Sequence, residues 1–280
     1  MKLNDLLMRG IQTLEDAGIE EAKLDAKWML MHFLHVTQSD LLAHGDREVD
    51  EPYALLYDTY IQKRAMHIPM QQLTHEQEFM GLSFYVDENV LVPRQDTELL
   101  VEEVMKTGLC GVRILDMCTG SGCILLSLLT YMNESRGMGV DLSGAALFVA
   151  KRNAEALSLA ERAEFRQGDL FAAVGDGEKF DILVSNPPYI ATKEIDGLMP
   201  EVKEHEPRMA LDGGESGLVF YERIVADAKN YLVPGGKLYF EIGYDQGAAV
   251  SRLLAGAGFI NIEVHKDYAG LDRVVSADVI

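Results

Sequence analysis

From residue 112 to the C-terminus, short apolar runs alternate with longer stretches of helical period. That alternation calls for an α/β fold, a largely parallel sheet with helices on both faces. Strands are expected at 112–116, 137–141, 162–166, 180–185, 236–242, 258–265 and about 272–279. Helices are expected at 122–132, 144–157, 217–231 and 246–256. The last two strands follow Gly256-Ala257-Gly258 and Ala269-Gly270 and suit an antiparallel edge. In such open sheets ligands bind beyond the carboxyl ends of the strands, so the residues just after each strand are the candidates for chemistry.

Upstream the period changes. Residues 1–70 carry helical stripes and almost no strand signal. Leu3, Leu6, Leu7, Ile11 and Leu14 form one stripe, closed near Gly18; Leu24, Trp28, Leu30, Met31 and Leu34 form another. Segments Gln38–Ala43 and Pro52 to Met66 complete a small helical bundle, read as a substrate-docking module. His32 and His35 lie one turn apart, but no third ligand accompanies them, so the pair reads as helix surface or core and no metal is expected. Residues 71–92 contain two short strand signals, 76–80 and 82–86, around Gly81, which suits a β-hairpin linker. In Val92-Pro93-Arg94-Gln95-Asp96-Thr97-Glu98, Asp96 or Thr97 is placed to cap a helix through Leu99, Val101, Val104 and Met105. The α/β domain then spans 93–280.

Charge removes some function classes. The 280 residues carry 45 acidic against 25 basic side chains, a net charge of −20 with no basic stripe. Such a field repels nucleic acid, whose binding normally rests on neutralising phosphates. No apolar stretch reaches the roughly 18 residues of a membrane span, and Met1 to Asp5 does not begin a charged leader with an apolar core. Cys110, Cys118 and Cys123 are too few and too irregular for a disulfide frame or zinc ribbon. A cytoplasmic protein with reduced thiols is expected.

The strand tips carry the chemistry. The first ends in Asp116-Met117-Cys118-Thr119-Gly120-Ser121-Gly122, directly before an apolar helix. Its glycines let backbone approach a ligand, yet G-x-G-x-x-G is not satisfied and no Walker lysine follows, which disfavours a pyrophosphate. Asp116 is placed to pair with a cationic group such as an ammonium. Asp141, at the second tip about 20 residues on, suits the two hydroxyls of a ribose. In Gln167-Gly168-Asp169-Leu170-Phe171, Asp169 suits an adenine amino group, and Leu170 and Phe171 the ring itself; Asp169 as a mere turn cap is the plainer option. An amino-acid end, a ribose and an adenine without phosphates describe S-adenosyl-L-methionine. The fourth strand runs into Asn186-Pro187-Pro188-Tyr189. There the Asn186 oxygen and a nearby carbonyl can accept from a planar –NH2 group, the prolines stiffen the loop, and the Tyr189 ring can pack on the bound group. A simple proline turn after a strand is the alternative.

With these residues the chain resembles the class I methyltransferases, and more narrowly the protein-(glutamine-N5) methyltransferases of peptide chain release factors, the PrmC/HemK family. The likeness also covers Val92 to Glu98, Ala210-Leu211-Asp212-Gly213-Gly214 with Gly217-Leu218, Pro234-Gly235-Gly236, and Glu241-Ile242-Gly243 with Gln246. It implies a seven-stranded Rossmann-like sheet behind a small N-terminal helical bundle and a β-hairpin linker. It implies methyl transfer from S-adenosyl-L-methionine, leaving S-adenosyl-L-homocysteine, to the glutamine side-chain nitrogen in the Gly-Gly-Gln motif of release factors. Catalysis then falls to Asn186, Pro187 and Tyr189. Cofactor binding falls to Asp116, Cys118, Thr119, Gly120, Ser121, Gly122, Asp141, Asp169, Leu170 and Asn186. Asn186 to Tyr189 and Arg94 meet the substrate, with Pro93 also near the cofactor or the substrate loop, and Glu241 and Gln246 are structural. A monomer without nucleic-acid or membrane partners is expected. Two positions depart: Gln95 stands where the family commonly has proline, and Cys118 where it often has glycine. An adenine-N6 DNA methyltransferase would use the same tetrapeptide on a flipped base, but the charge opposes it. Intact Asn186, Asp116 and Gly120 speak against a non-catalytic adaptor.

Overall fold

Helices α1 (Leu3–Asp16), α2 (Ala22–Leu34), α3 (Gln38–Ala43), α4 (Glu51–Ala65) and α5 (Met70–Thr74) open the chain, which a computed structural model describes over residues 1–280. The hairpin β1 (Gln77–Phe79) and β2 (Leu82–Phe84) and helix α6 (Glu98–Met105) follow. Strands and helices then alternate: β3 (Arg113–Met117), α7 (Cys123–Tyr131), β4 (Arg136–Asp141), α8 (Gly144–Ala156), β5 (Ala163–Gln167) and β6 (Phe180–Ser185). The remainder is α9 (Pro200–His205), α10 (Val219–Asp227), β7 (Leu232–Glu241), α11 (Gly247–Gly256), β8 (Ile260–Lys266) and β9 (Asp272–Asp278). Two units result: Met1–Glu76 with Met199–His205, and Gln77–Leu198 with Glu206–Ile280. No helix is long and apolar enough to cross a membrane.

In the first unit the α1 stripe packs as its spacing requires, with Leu3, Leu6 and Leu14 buried against Met29, Leu30, Tyr57 and Ile61. Helix α2 departs from its expected stripe. Trp28 and Leu24 stand exposed, while Ala22, Asp25, Ala26, Met29 and Leu30 are buried. Large apolar residues lie on more than one side of the helix, so they alone do not identify its inner face. The small Ala26 lets α4 approach, and the Tyr57 hydroxyl donates to its carbonyl at 3.1 Å. Asp25 is inside because Arg64 is: Arg64 Nε donates to Asp25 Oδ2 at 2.7 Å, and Nη1 to Glu201 Oε1 at 3.0 Å. Glu201 belongs to α9, so a turn from the distal half of the sequence completes this unit. His32 packs edge-on against Phe33, and His35 ends α2 in a left-handed conformation.

In the second unit the sheet order is β5-β4-β3-β6-β7-β9-β8. Pairs from β5 to β7 are parallel; β9 inserts antiparallel between β7 and β8, which makes the expected antiparallel edge. Each face carries a core, one around Leu115, Phe240 and Tyr221, the other around Ile114, Leu125 and Tyr239. The hairpin turns on Met80 and Gly81, with φ of 52° and 68°, the left-handed pair of a tight two-residue loop. It is more than a tether, because Phe79 and Phe84 are buried in the second core and Met80 N donates to Glu98 Oε1 at 2.6 Å. The expected caps of α6 do not form: residues 95–97 make a 3-10 turn and Thr97 caps nothing. Its hydroxyl is used elsewhere.

Candidate functional site

The chain reverses its direction of travel across the sheet between β3 and β6, and at that point strand ends diverge and leave a crevice. Met117 pairs with Ser185, so the loop after β3 and the segment after β6 leave the sheet side by side. The Ser185 hydroxyl ties them, donating to Met117 O at 2.6 Å. Cys118, Gly120 and Gly122 have φ of 61°, 55° and 79°. Cys118 thus holds a left-handed backbone that suits glycine better, and burial together with Asp141 and Asp116 pushes its thiol pKa far up.

Two carboxylates brace this loop. Asp116 Oδ2 accepts from the Thr119 hydroxyl at 2.5 Å, and Oδ1 has no partner. Burial pushes its pKa up to about 7 against that hydrogen bond. Asp141 Oδ2 accepts from Gly120 N at 2.9 Å and Oδ1 from Ser143 N at 2.8 Å. Burial raises its pKa as well, with those backbone N–H groups opposing.

Over the strand ends lies a cavity of about 390 Å³. It gathers Cys118, Thr119, Gly120, Ser121, Asp141, Asp169, Leu170, Asn186, Pro188, Pro93 and Arg94 into one lining. Asp116, Gly122, Pro187 and Tyr189 are not on that lining; Asp116 lies fully buried beneath the loop. Asp169 pairs with Arg223 at 2.8 Å at the rim. Phe171 does not reach the cavity: it stacks on Tyr231 with centroids 4.5 Å apart, inside the core. Apolar wall comes instead from Val90, Leu142, Ala146 and Phe220. Leu142 was findable as the residue after Asp141; Phe220 arrives from α10 and has no local signal.

The Asn186–Tyr189 segment is held from behind. Asn186 Nδ2 reaches Thr97 Oγ1 at 3.4 Å, and Gln246 Nε2 donates to Tyr189 O at 2.9 Å. Gln246 therefore braces this segment beyond any role at the strand end. Ile190 pairs with Asp212 in parallel, so the Ala210–Gly214 segment lies against the tetrapeptide. A Cβ on Gly213 would meet Pro188 O at 2.8 Å, and one on Gly217, with φ of 71°, would meet Tyr189 O at 2.5 Å. Gly217→Ala is expected to displace the segment, lowering the unfolding free energy by about 1–3 kcal/mol and turnover with it. Thermal melts beside steady-state rates check this; parental values for both would show that the close approach is dispensable. Arg94 is engaged too, its Nη2 donating to Glu206 Oε2 at 2.6 Å, while buried Glu206 also accepts from Val92 N at 3.2 Å. Chemically, the site presents a side-chain amide at the wall of a largely apolar cavity whose other end is built for hydroxyl and amino groups. No cluster of three or more His, Cys, Asp or Glu side chains is placed to hold a metal ion.

Known proteins resemble the chain throughout its length. Residues 5–74 match the model of the PrmC N-terminal domain, and residues 94–220 that of the methyltransferase small domain. A release factor glutamine methyltransferase of Clostridium acetobutylicum is 41% identical over 280 residues, covering 99% of this chain and 98% of that protein. The protein of the same name from Moorella thermoacetica is 43% identical over 276 residues, covering 98% and 97%. Among solved structures, the T. thermophilus 16S rRNA N2 methyltransferase RsmC, in complex with AdoMet and guanosine, matches with a TM-score of 0.54. At 20% identity, over 73% of this chain and 50% of that one, it shows the shared fold alone.

Proposed function

The chain belongs to the release factor glutamine methyltransferase family, and on that footing we propose that it methylates the side-chain nitrogen of the Gly-Gly-Gln glutamine in peptide chain release factors, using S-adenosyl-L-methionine. The observation that carries this is the seat of Asn186: it lines the same cavity as the 118–121 loop.

The cavity suits that cofactor electrostatically. Its charged lining residues are Asp141, Asp169, Asp212 and Arg94, and the arginine is already paired with Glu206. Asp169 and Asp212 are paired as well, with Arg223 at 2.8 Å and Arg208 at 3.5 Å, so the lining keeps one carboxylate without a cation, Asp141, and no free cation, which disfavours phosphate. S-adenosyl-L-methionine, bound there, supplies an electrophilic sulfonium methyl. Asp141 would receive the ribose hydroxyls, Asp169 the adenine amino group and Leu170 its ring. Asp116, beneath the loop, would act by bracing Thr119 and by adding negative potential under the ammonium end.

A carboxamide nitrogen is a poor nucleophile, because its lone pair is delocalised into the carbonyl. Asn186 Oδ1 and the Pro187 carbonyl, each accepting one of its N–H bonds, would aim that lone pair and favour a pyramidal nitrogen. Tyr189 would flank the amide and exclude water. Orientation and fixed dipoles are then the main catalytic terms. The product nitrogen loses its proton to solvent after transfer, so no general base is needed. We place the reaction in the cytoplasm, with the enzyme acting as a monomer on a protein substrate.

Asp141→Ala is expected to weaken S-adenosyl-L-homocysteine binding about 10–100-fold, as for a lost charge-assisted hydrogen-bond acceptor. Calorimetric titration checks it; unchanged affinity would remove Asp141 from the cofactor site. The proposed reaction is tested by incubation with isotopically labelled S-adenosyl-L-methionine, a purified release factor and duplex DNA, followed by mass spectrometry. Label on the glutamine of the Gly-Gly-Gln peptide is expected. Label on adenine, with none in the protein, would overturn the proposal in favour of the DNA reading.

A further inference from the structure

Ser185 pairs with Phe240 in the parallel ladder of β6 and β7. The next residues, Asn186 and Glu241, therefore leave the two strands at one level, side by side. Glu241 is 2% exposed. The Thr97 hydroxyl and the Asn186 amide lie near its carboxylate and both favour its ionised form, while Oε2 has no partner. Asn186 Nδ2 also reaches Thr97 Oγ1 at 3.4 Å.

This is a costly residue for a merely structural task. A buried carboxylate without its own cation destabilises a fold, and the nearby Arg273 is committed to Asp96 and Asp267 at 3.1 and 3.0 Å. An ionised carboxylate can only accept hydrogen bonds. Placed against an asparagine, it selects the –NH2 end and turns the carbonyl end away. If the Asn186 amide flipped, oxygen would face oxygen and the N–H groups would face the substrate nitrogen's own N–H bonds.

We propose that Glu241 and Thr97 are positioning residues for the reaction: together they hold the Nδ2 end of Asn186 so that Oδ1 faces the incoming carboxamide, and they do so when Glu241 is ionised. The inference rests on the function proposed above. Its signature is a pH dependence in the turnover of the bound complex. Burial raises the Glu241 pKa to about 7, against the Thr97 hydroxyl and the charge of Arg273, with Asp96 adding to the rise. Ionisation is complete above that value and lost as pH falls through it, so kcat must fall on the acid side. Three other groups near Glu241 keep their protons through that range. Burial lifts the phenols of Tyr189 and Tyr221 well above 10, and the Cys123 thiol to about 12. Asp116, also near 7, lies under the cofactor loop, and saturating S-adenosyl-L-methionine separates its effect from that of Glu241.

The test measures kcat from pH 6 to 8.5 with release factor and S-adenosyl-L-methionine saturating, and S-adenosyl-L-homocysteine affinity by calorimetry. In the parent protein kcat is expected to drop about tenfold per pH unit below about 7. Glu241→Gln is expected to lower the plateau about 10–100-fold, as for a misoriented catalytic group, and to abolish the acid limb. Its cofactor affinity should stay within about twofold, because the lost contact is on the substrate side. Thr97→Val removes a donor that stabilises the carboxylate, so its acid limb should move to higher pH. A Glu241→Gln protein with the parental limb and plateau overturns the proposal, as does one that loses cofactor affinity in step with kcat. Should that variant not fold, an unmoved limb in Thr97→Val overturns it alone. Asn186→Ala in the same assay keeps the two ideas apart. If it is inert while Glu241→Gln is normal, only the positioning role fails; if it is active, the function assigned to the site fails.

Discussion

Replacing Asn186 by alanine is expected to lower methyl transfer to a release factor about 10²–10³-fold, the range seen when one preorganised hydrogen-bonding group is removed from a transition-state site. The substitution deletes the amide oxygen and leaves the 118–121 loop, Asp141 and the sheet untouched. Affinity for S-adenosyl-L-homocysteine should therefore stay within about tenfold, the value of a single neutral hydrogen bond. Because the two N–H bonds need aiming only as the nitrogen pyramidalises, the loss should appear in kcat more than in KM. Single-turnover methyl transfer with cofactor prebound reads it directly. A variant that transfers at the parental rate would show that the amide is aimed by something other than residue 186.

The second large effect concerns stability. Arg64 is 8% exposed and Asp25 6%, so truncating the arginine strands a buried carboxylate. Arg64→Ala is expected to lower the unfolding free energy of the first unit by about 3–5 kcal/mol at neutral pH, the penalty for breaking a buried ion pair from one side. Chemical denaturation followed through the single Trp28 of that unit reads the change. The loss should depend on pH. Burial works against ionised Glu201, yet hydrogen bonds from its own backbone, His67 and Arg64 hold its carboxyl below the ordinary value. A depressed carboxyl stabilises the fold above its ordinary pKa, and that contribution disappears as pH falls through the depressed value. Parent and variant should therefore converge in acid. A constant difference from pH 7 to pH 3 would show that the arginine matters through its packing instead.

Strand and helix alternation was legible because a parallel sheet buried on both faces needs near-continuous apolar runs, and Phe180–Ser185 is one. The strand-tip residues were legible for the same reason, since a known strand end fixes where its loop emerges. Asp141, Asp169 and Asn186 meet at one cavity although 45 residues separate the first from the last. What was not legible depends on contacts between distant segments. The inner face of α2 follows Asp25, whose reason to be inside is Arg64, 39 residues later. Thr97 looked like a cap because its immediate neighbours suit one, and only the fold brings Asn186 to its hydroxyl. Phe171 was drawn into the core by Tyr231, a stacking partner no local pattern announces. Glu241 reads as a strand end until the register of Ser185 on Phe240 puts it beside Asn186.

The most direct test is a crystal structure of the protein with S-adenosyl-L-homocysteine and a Gly-Gly-Gln release-factor domain bound together. The glutamine nitrogen should lie about 3 Å from both Asn186 Oδ1 and the Pro187 carbonyl, within hydrogen-bond reach, with the cofactor sulfur facing it across the gap left by the methyl group. A sulfur turned away from residue 186, or a glutamine nitrogen held by other groups, would contradict the mechanism.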